Sequence, residues 1–139
     1  MYQRLLIFCL ALAALVPANH FLDTCRKVGL TVSGRTLVAD CKYKDQKEYE
    51  KAYKSALDLN RCLKLNDWGN ITAEADGKFF SSVRECRLGK LATLTCVYFG
   101  GETQKDCLFD LNNVVFNKDG ILGCFNYNGV PIEDAQPWE

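Results

Sequence analysis

Apolar and polar positions alternate with period two over much of this chain, and the alternation predicts short strands. Leu30-Thr31-Val32 and Thr36-Leu37-Val38-Ala39 flank Ser33-Gly34, a pair suited to a hairpin turn. Leu91 to Tyr98 (LATLTCVY) alternates as a half-buried strand should, and so do Leu57-Asp58-Leu59 and Phe109-Asp110-Leu111. Val114-Val115-Phe116, Asn117-Lys118-Asp119-Gly120 and Ile121-Leu122 predict strand, tight turn and strand. Asn and Asp tolerate left-handed backbone there, and Gly enters it without steric cost. Lys44 to Ala56 departs from the alternation. Its charge, and the spacing of Tyr49, Ala52 and Tyr53, predict a long surface loop carrying a short helix. Phe99 to Lys105 takes that place in the second half. The tail from Val130 to Glu139 predicts extended or loosely packed chain.

The pattern occurs twice. Ser55 to Gly69 reads SALDLNRCLKLNDWG, and Cys107 to Gly120 reads CLFDLNNVVFNKDG. Leu57-Asp58-Leu59-Asn60 answers Phe109-Asp110-Leu111-Asn112, and Asn66 to Gly69 answers Asn117 to Gly120, offset by about 52 residues. One supersecondary module used twice is the economical reading. Each half is too small to bury a core alone, so the expectation is an all-β fold whose halves pack together by exchanging strands.

The first residues read as a leader. Arg4 gives a positive start, Leu5 to Leu15 is almost wholly apolar, and Val16-Pro17-Ala18 offers a cleavage site. Residues 1–18 are therefore expected to be a signal peptide, and the apolar run is shorter than a bilayer span. Residues 19–139 then form one domain with net charge about −1, since Arg4 is the only charge removed. No basic patch points to nucleic acid. No second apolar run points to a membrane, so a secreted, extracellular protein is expected.

Eight cysteines are present. Cys9 leaves with the leader, and the odd set Cys25, Cys41, Cys62, Cys86, Cys96, Cys107 and Cys124 remains. In a secreted chain these read as a disulfide framework with one thiol over. A metal site is not expected: no CxxC occurs and the only histidine is His20. Catalysis is not expected either, because no titratable pair near neutral pH stands with a nucleophile. Asp58 and Asp110 occupy matching places in the two repeats, which suggests turn-making rather than chemistry.

The order of these elements resembles the cyanovirin-N homology (CVNH) family over about Phe21 to Phe125. The elements that carry the resemblance are Phe21 with Thr24-Cys25, Leu37 with Ala39-Asp40-Cys41, the ALDLN strand and Asn66 to Gly69. Then come Phe79 or Phe80 with Cys86, Leu91 to Cys96, FDLNN and Asn117 to Leu122. The resemblance implies two tandem repeats, about 21–79 and 80–125 with a tail at 126–139. They would form two pseudo-symmetric, disulfide-stapled lobes, each borrowing strands from both repeats. It implies Cys25–Cys41 and Cys86–Cys96. If strands are exchanged, Cys62 meets Cys124 and Cys107 is left over, with Cys107–Cys124 the alternative.

The resemblance also implies a lectin that takes mannose-type oligosaccharides or glycoprotein glycans without metal or cofactor, as a monomer or strand-exchanged dimer. Carried over residue by residue, the first-lobe site would comprise Asp23, Thr24, Lys42, Lys44, Asn117, Lys118 and Asp119. Lys42 stands where an acidic residue is usual in the founding member. A weaker second site would comprise Asn66, Trp68, Arg84 and Glu85. Asn70-Ile71-Thr72 is a glycosylation sequon beside it, so one working site is expected. The alternative is a protein-interaction or structural domain that has lost sugar binding.

Overall fold

The structure is a computed structural model that describes residues 20–43, 52–100 and 103–132. The expected leader, Lys44 with the rest of the expected loop to residue 51, and the tail from residue 133 lie outside the described residues. Repeat one supplies an antiparallel meander of β1 (Cys25–Leu30), β2 (Thr36–Lys42) and β3 (Ala52–Asp58). The hairpin of β4 (Leu63–Leu65) and β5 (Ile71–Ala73) follows. Repeat two supplies the meander of β6 (Arg84–Leu88), β7 (Thr93–Gly100) and β8 (Thr103–Asp110), then the hairpin of β9 (Phe116–Lys118) and β10 (Ile121–Cys124). Finally β11 (Tyr127–Asn128) adds to β10, and β12 (Val130–Pro131) adds to the edge of β3.

Each hairpin crosses to the other repeat. β10 packs on β2 and β3, and β5 packs on β8. The fold is therefore all-β and two-lobed with exchanged strands. One lobe holds the first meander and second hairpin, and the other the reverse.

The repeated phrase has a mechanical explanation. Asp58 Oδ1 accepts from Asn60 N at 3.0 Å, and Asp110 Oδ1 from Asn112 N at 2.9 Å. Each aspartate thus ends its strand and caps a 3₁₀ turn. The asparagine two residues on reaches the other repeat: Asn60 Oδ1 accepts from Phe80 N at 2.7 Å, and Asn112 Oδ1 from Leu22 N at 3.4 Å. Leu59 and Leu111 are fully buried between them. The period-two pattern assigns both leucines to strands. The structure puts each at the start of the turn, because the carboxylate competes successfully for the backbone.

Other boundaries shift for similar reasons. β7 starts at Thr93, not Leu91, because Leu91 and Ala92 adopt left-handed φ of 56° and 58° while Gly89 N bonds Thr93 O at 2.8 Å. Val114 and Val115 are not in a strand; both donate to Leu111 O and close the preceding turn. Ala52 to Ala56 lie in β3 rather than in a loop.

The strand registers fix which positions correspond. Thr36 faces Asp58 in one meander as Thr93 faces Asp110 in the other. It follows that Ser55 corresponds to Cys107, Lys42 to Phe99, Ala39 to Cys96 and Cys41 to Tyr98. The bulges marked by Lys27 and Glu85, both at φ 53°, align Cys25 with Val83 and Val28 with Cys86. Cys25–Cys41 and Cys86–Cys96 are both formed, yet they bridge different rungs of their meanders. Cys62–Cys124 joins the turn after the first meander to the end of β10, with Cα atoms 5.8 Å apart and both residues fully buried. Cys107 lies outside the three bridges, which excludes Cys107–Cys124. Around this staple Phe21, Leu37, Leu57, Leu63, Phe79, Leu94 and Leu122 close one continuous core.

Candidate functional site

In the first lobe, one asparagine gathers three distant segments. Asn117, on β9, donates from Nδ2 to Thr24 Oγ1 at 3.0 Å and to Lys42 O at 2.9 Å. Its Oδ1 accepts from Gly120 N at 2.8 Å and shapes its own turn. Lys42 N in turn donates to Thr24 O at 2.8 Å. Asp119 sits in left-handed backbone at φ 52° and Gly120 at φ 91°. Thr24, Lys42 and Asn117 are thus held in direct contact and are half-buried. Asp23 adjoins Thr24, Lys118 and Asp119 adjoin Asn117, and these three side chains are exposed. Lys44 lies outside the described residues.

Exposed residues of mixed charge thus flank the clamp. Carboxylates at Asp23 and Asp119 are acceptors, and the ammonium of Lys118 is a donor. Exposed donors and acceptors beside one clamp are groups that a polyhydroxylated ligand can use. Asn117 itself is consumed by the fold, since its amide donates twice within the protein.

Sequence reasoning missed Tyr53. Its ring packs against Gly120, where an added Cβ would sit 2.4 Å from Tyr53 Cδ2, and its edge meets Tyr43 at 5.6 Å between centroids. The signal is a tyrosine two and four residues before Ser55 and Leu57, on the buried face of β3, but its spacing from Tyr49 predicts a helix.

The second lobe lacks the clamp. Asn66 Oδ1 accepts from Trp68 N at 2.9 Å and Asn70 N at 3.0 Å, and its hydrogen bonds stay within its own turn. Phe99 stands where the first lobe has Lys42. The Arg84 guanidinium lies over that ring at 4.5 Å. Trp68 is 67% exposed, so it does not cover the core. Glu85 is exposed on the bulge of β6. Asn70 Nδ2, the atom a glycan would modify, is buried and makes no hydrogen bond. Gly69 abuts the Tyr98 hydroxyl. Burial, and secondarily the Cys107 thiol, raise the Tyr98 pKa above its ordinary 10.0. Among the described residues no group of three His, Cys, Asp or Glu is placed to hold a metal, and no helix is long and apolar enough to cross a membrane.

A CVNH-domain family model matches residues 21–123. Among solved structures, that of TbCVNH from T. borchii is similar at 28% identity and TM-score 0.61, covering 76% of this chain and 98% of that one. A MoCVNH3 variant crystallised in complex with (N-GlcNAc)4 is similar at 17% identity and TM-score 0.66, covering 78% and 98%. A designed cyanovirin-N homologue lectin is similar at 24% identity and TM-score 0.62, covering 76% and 98%. No curated protein sequence matches.

Proposed function

The chain belongs to the CVNH domain family, and from that premise we propose that it is a secreted lectin binding mannose-type glycans through one working site in the first lobe. The observation that carries this reading is the Asn117 clamp, which joins the start of β1, the end of β2 and the β9–β10 turn. A clamp of this kind presents Asp23 from before β1 and Lys118 and Asp119 from the β9–β10 turn without loop freedom, so little ordering entropy is lost on binding. The absence of an equivalent clamp at Asn66 supports a single site. The protein is read as a binder of oligosaccharides or glycoprotein glycans, not an enzyme, and it needs no metal.

The test is a glycan array with the mature chain and with Asp119→Ala and Asp23→Ala, singly and together. Both side chains are exposed, so these variants report on binding rather than folding. The array includes N-acetylglucosamine oligomers, because a relative of the same fold was crystallised with one. Binding to mannose-type glycans that the double variant loses supports the reading. Binding that survives in the double variant moves the site toward Trp68 and Glu85. A folded chain that binds no glycan would be a protein-interaction domain on this scaffold.

A further inference from the structure

Three cysteines meet on the second meander. Cys96 on β7 and Cys107 on β8 are direct register partners, so both side chains point to the same face, and both are buried. The Cys107 thiol points at the Cys96 backbone, with Sγ 3.6 Å from Cys96 O. Cys96 is already bridged to Cys86, which lies within the bulge of β6 and is half-buried. The molecule shows elsewhere that register partners on adjacent strands accept a bridge: Cys25 and Cys41 are such partners, with Cα atoms 4.0 Å apart. The fold does not require sulfur at Cys107. In the first lobe that position is Ser55, whose hydroxyl accepts from Leu122 N of the crossing hairpin at 2.9 Å.

We propose that Cys107 exchanges with the Cys86–Cys96 disulfide, moving the bridge to Cys96–Cys107 and the thiol to Cys86. The Cys107 thiol gives its proton to solvent, and its thiolate attacks Cys96 Sγ. The Cys96–Cys107 bond forms, the Cys86–Cys96 bond breaks, and Cys86 leaves as a thiolate that takes up a proton. Nothing is oxidised or reduced overall. Topology selects the sulfur attacked. β6 and β8 flank β7, so Cys86 and Cys107 are two strand spacings apart, roughly 9.6 Å, beyond the roughly 7 Å over which a disulfide closes. The exchange therefore turns a buried thiol into a half-exposed one on an edge strand and leaves the bridge count unchanged.

The test uses the full mature chain. Folded protein is held at mildly alkaline pH, quenched with acid, denatured, and labelled with N-ethylmaleimide before peptide mass spectrometry. Label divided between Cys107 and Cys86, with Cys96–Cys107 peptides recovered, is the expected result. Label on Cys107 alone overturns the proposal. In Cys86→Ser treated with glutathione disulfide, which takes up the two electrons and leaves as two glutathione thiols, the prediction is a Cys96–Cys107 bridge, read as a mass about 2 Da below the dithiol form. Two maleimide labels on that variant in a folded chain, one on each of Cys96 and Cys107, would also overturn it. The labelling of the wild-type chain stands as the test if the variant does not fold.

Discussion

The side-chain amide of Asn117 donates to the hydroxyl of Thr24 across 93 positions of sequence, at 3.0 Å. The same nitrogen reaches Lys42 O, so a single side chain ties the second repeat's hairpin to both ends of the β1–β2 hairpin. Asn117→Ala removes three hydrogen bonds in a half-buried place and is expected to cost about 2–3 kcal/mol. Asn117→Asp keeps the acceptor for Gly120 N but sets a carboxylate against the Lys42 carbonyl, so it should not rescue the loss. Thr24→Val should cost about 1 kcal/mol. Urea denaturation followed by circular dichroism measures all three. An Asn117→Ala midpoint equal to wild type would show that the amide holds nothing together.

The Cys62–Cys124 bridge spans 62 positions, against 16 for Cys25–Cys41. Loop-closure entropy alone makes the longer bridge worth about 1 kcal/mol more. Cys25 and Cys41 are core residues as well, at 4% and 0% exposed against 0% for both Cys62 and Cys124, so the void left by substitution is common to the two pairs and loop length separates them. Cys62→Ala/Cys124→Ala should therefore unfold at a clearly lower urea concentration than Cys25→Ala/Cys41→Ala. Equal midpoints would mean that the lobes are held by the exchanged hairpins and not by the staple.

Much of this architecture was legible in the chain because the repeat carries it. Asp58 and Asp110, or Asn66 and Asn117, are recognisable as pairs, and pairs imply one module used twice. What stayed hidden are the interactions that join the repeats. Asn60 and Asn112 look like strand residues, yet their work is to accept Phe80 N and Leu22 N from the other half. Period-two alternation reports which face a side chain takes, and it is silent on a carboxylate two residues away that competes for the backbone. In the same way Asn117 was readable as a turn residue, but no local pattern foretells that its amide is spent on Thr24 and Lys42. Nor does the position of a cysteine reveal its rung: Cys86 answers Val28, not Cys25, because the bulge at Glu85 fixes the alignment.

Gly120 is a position where two constraints coincide. Its φ of 91° is disfavoured for a side-chain-bearing residue, and an added Cβ would meet Tyr53 Cδ2 at 2.4 Å. Gly120→Ala is expected to cost about 2–3 kcal/mol. Adding Tyr53→Ala should recover only the steric share and leave the backbone strain, so the double variant should stay less stable than Tyr53→Ala alone. Thermal denaturation of the four proteins of this cycle measures the split. Full recovery in the double variant would mean that the contact, not the φ, sets the requirement for glycine.

Tyr98 links stability to alkaline pH. Its pKa is raised from 10.0, first by burial and then by the Cys107 thiol. A raised pKa on a phenol means that the fold favours the neutral form. This contribution is fully present below the unfolded pKa of about 10 and is lost as pH climbs through the higher folded value. The urea midpoint of the wild-type chain should therefore fall more steeply above pH of about 10 than that of Tyr98→Phe, which has no proton to lose. The difference in tyrosinate absorbance between the two proteins should titrate above the ordinary phenol range. Cys107→Ser removes the smaller of the two causes, so it should bring that titration part of the way down and no further. A Tyr98 titration at its ordinary value in the folded chain would show that the hydroxyl beside Gly69 is open to water, and that the β4–β5 turn does not seal the second lobe over β7.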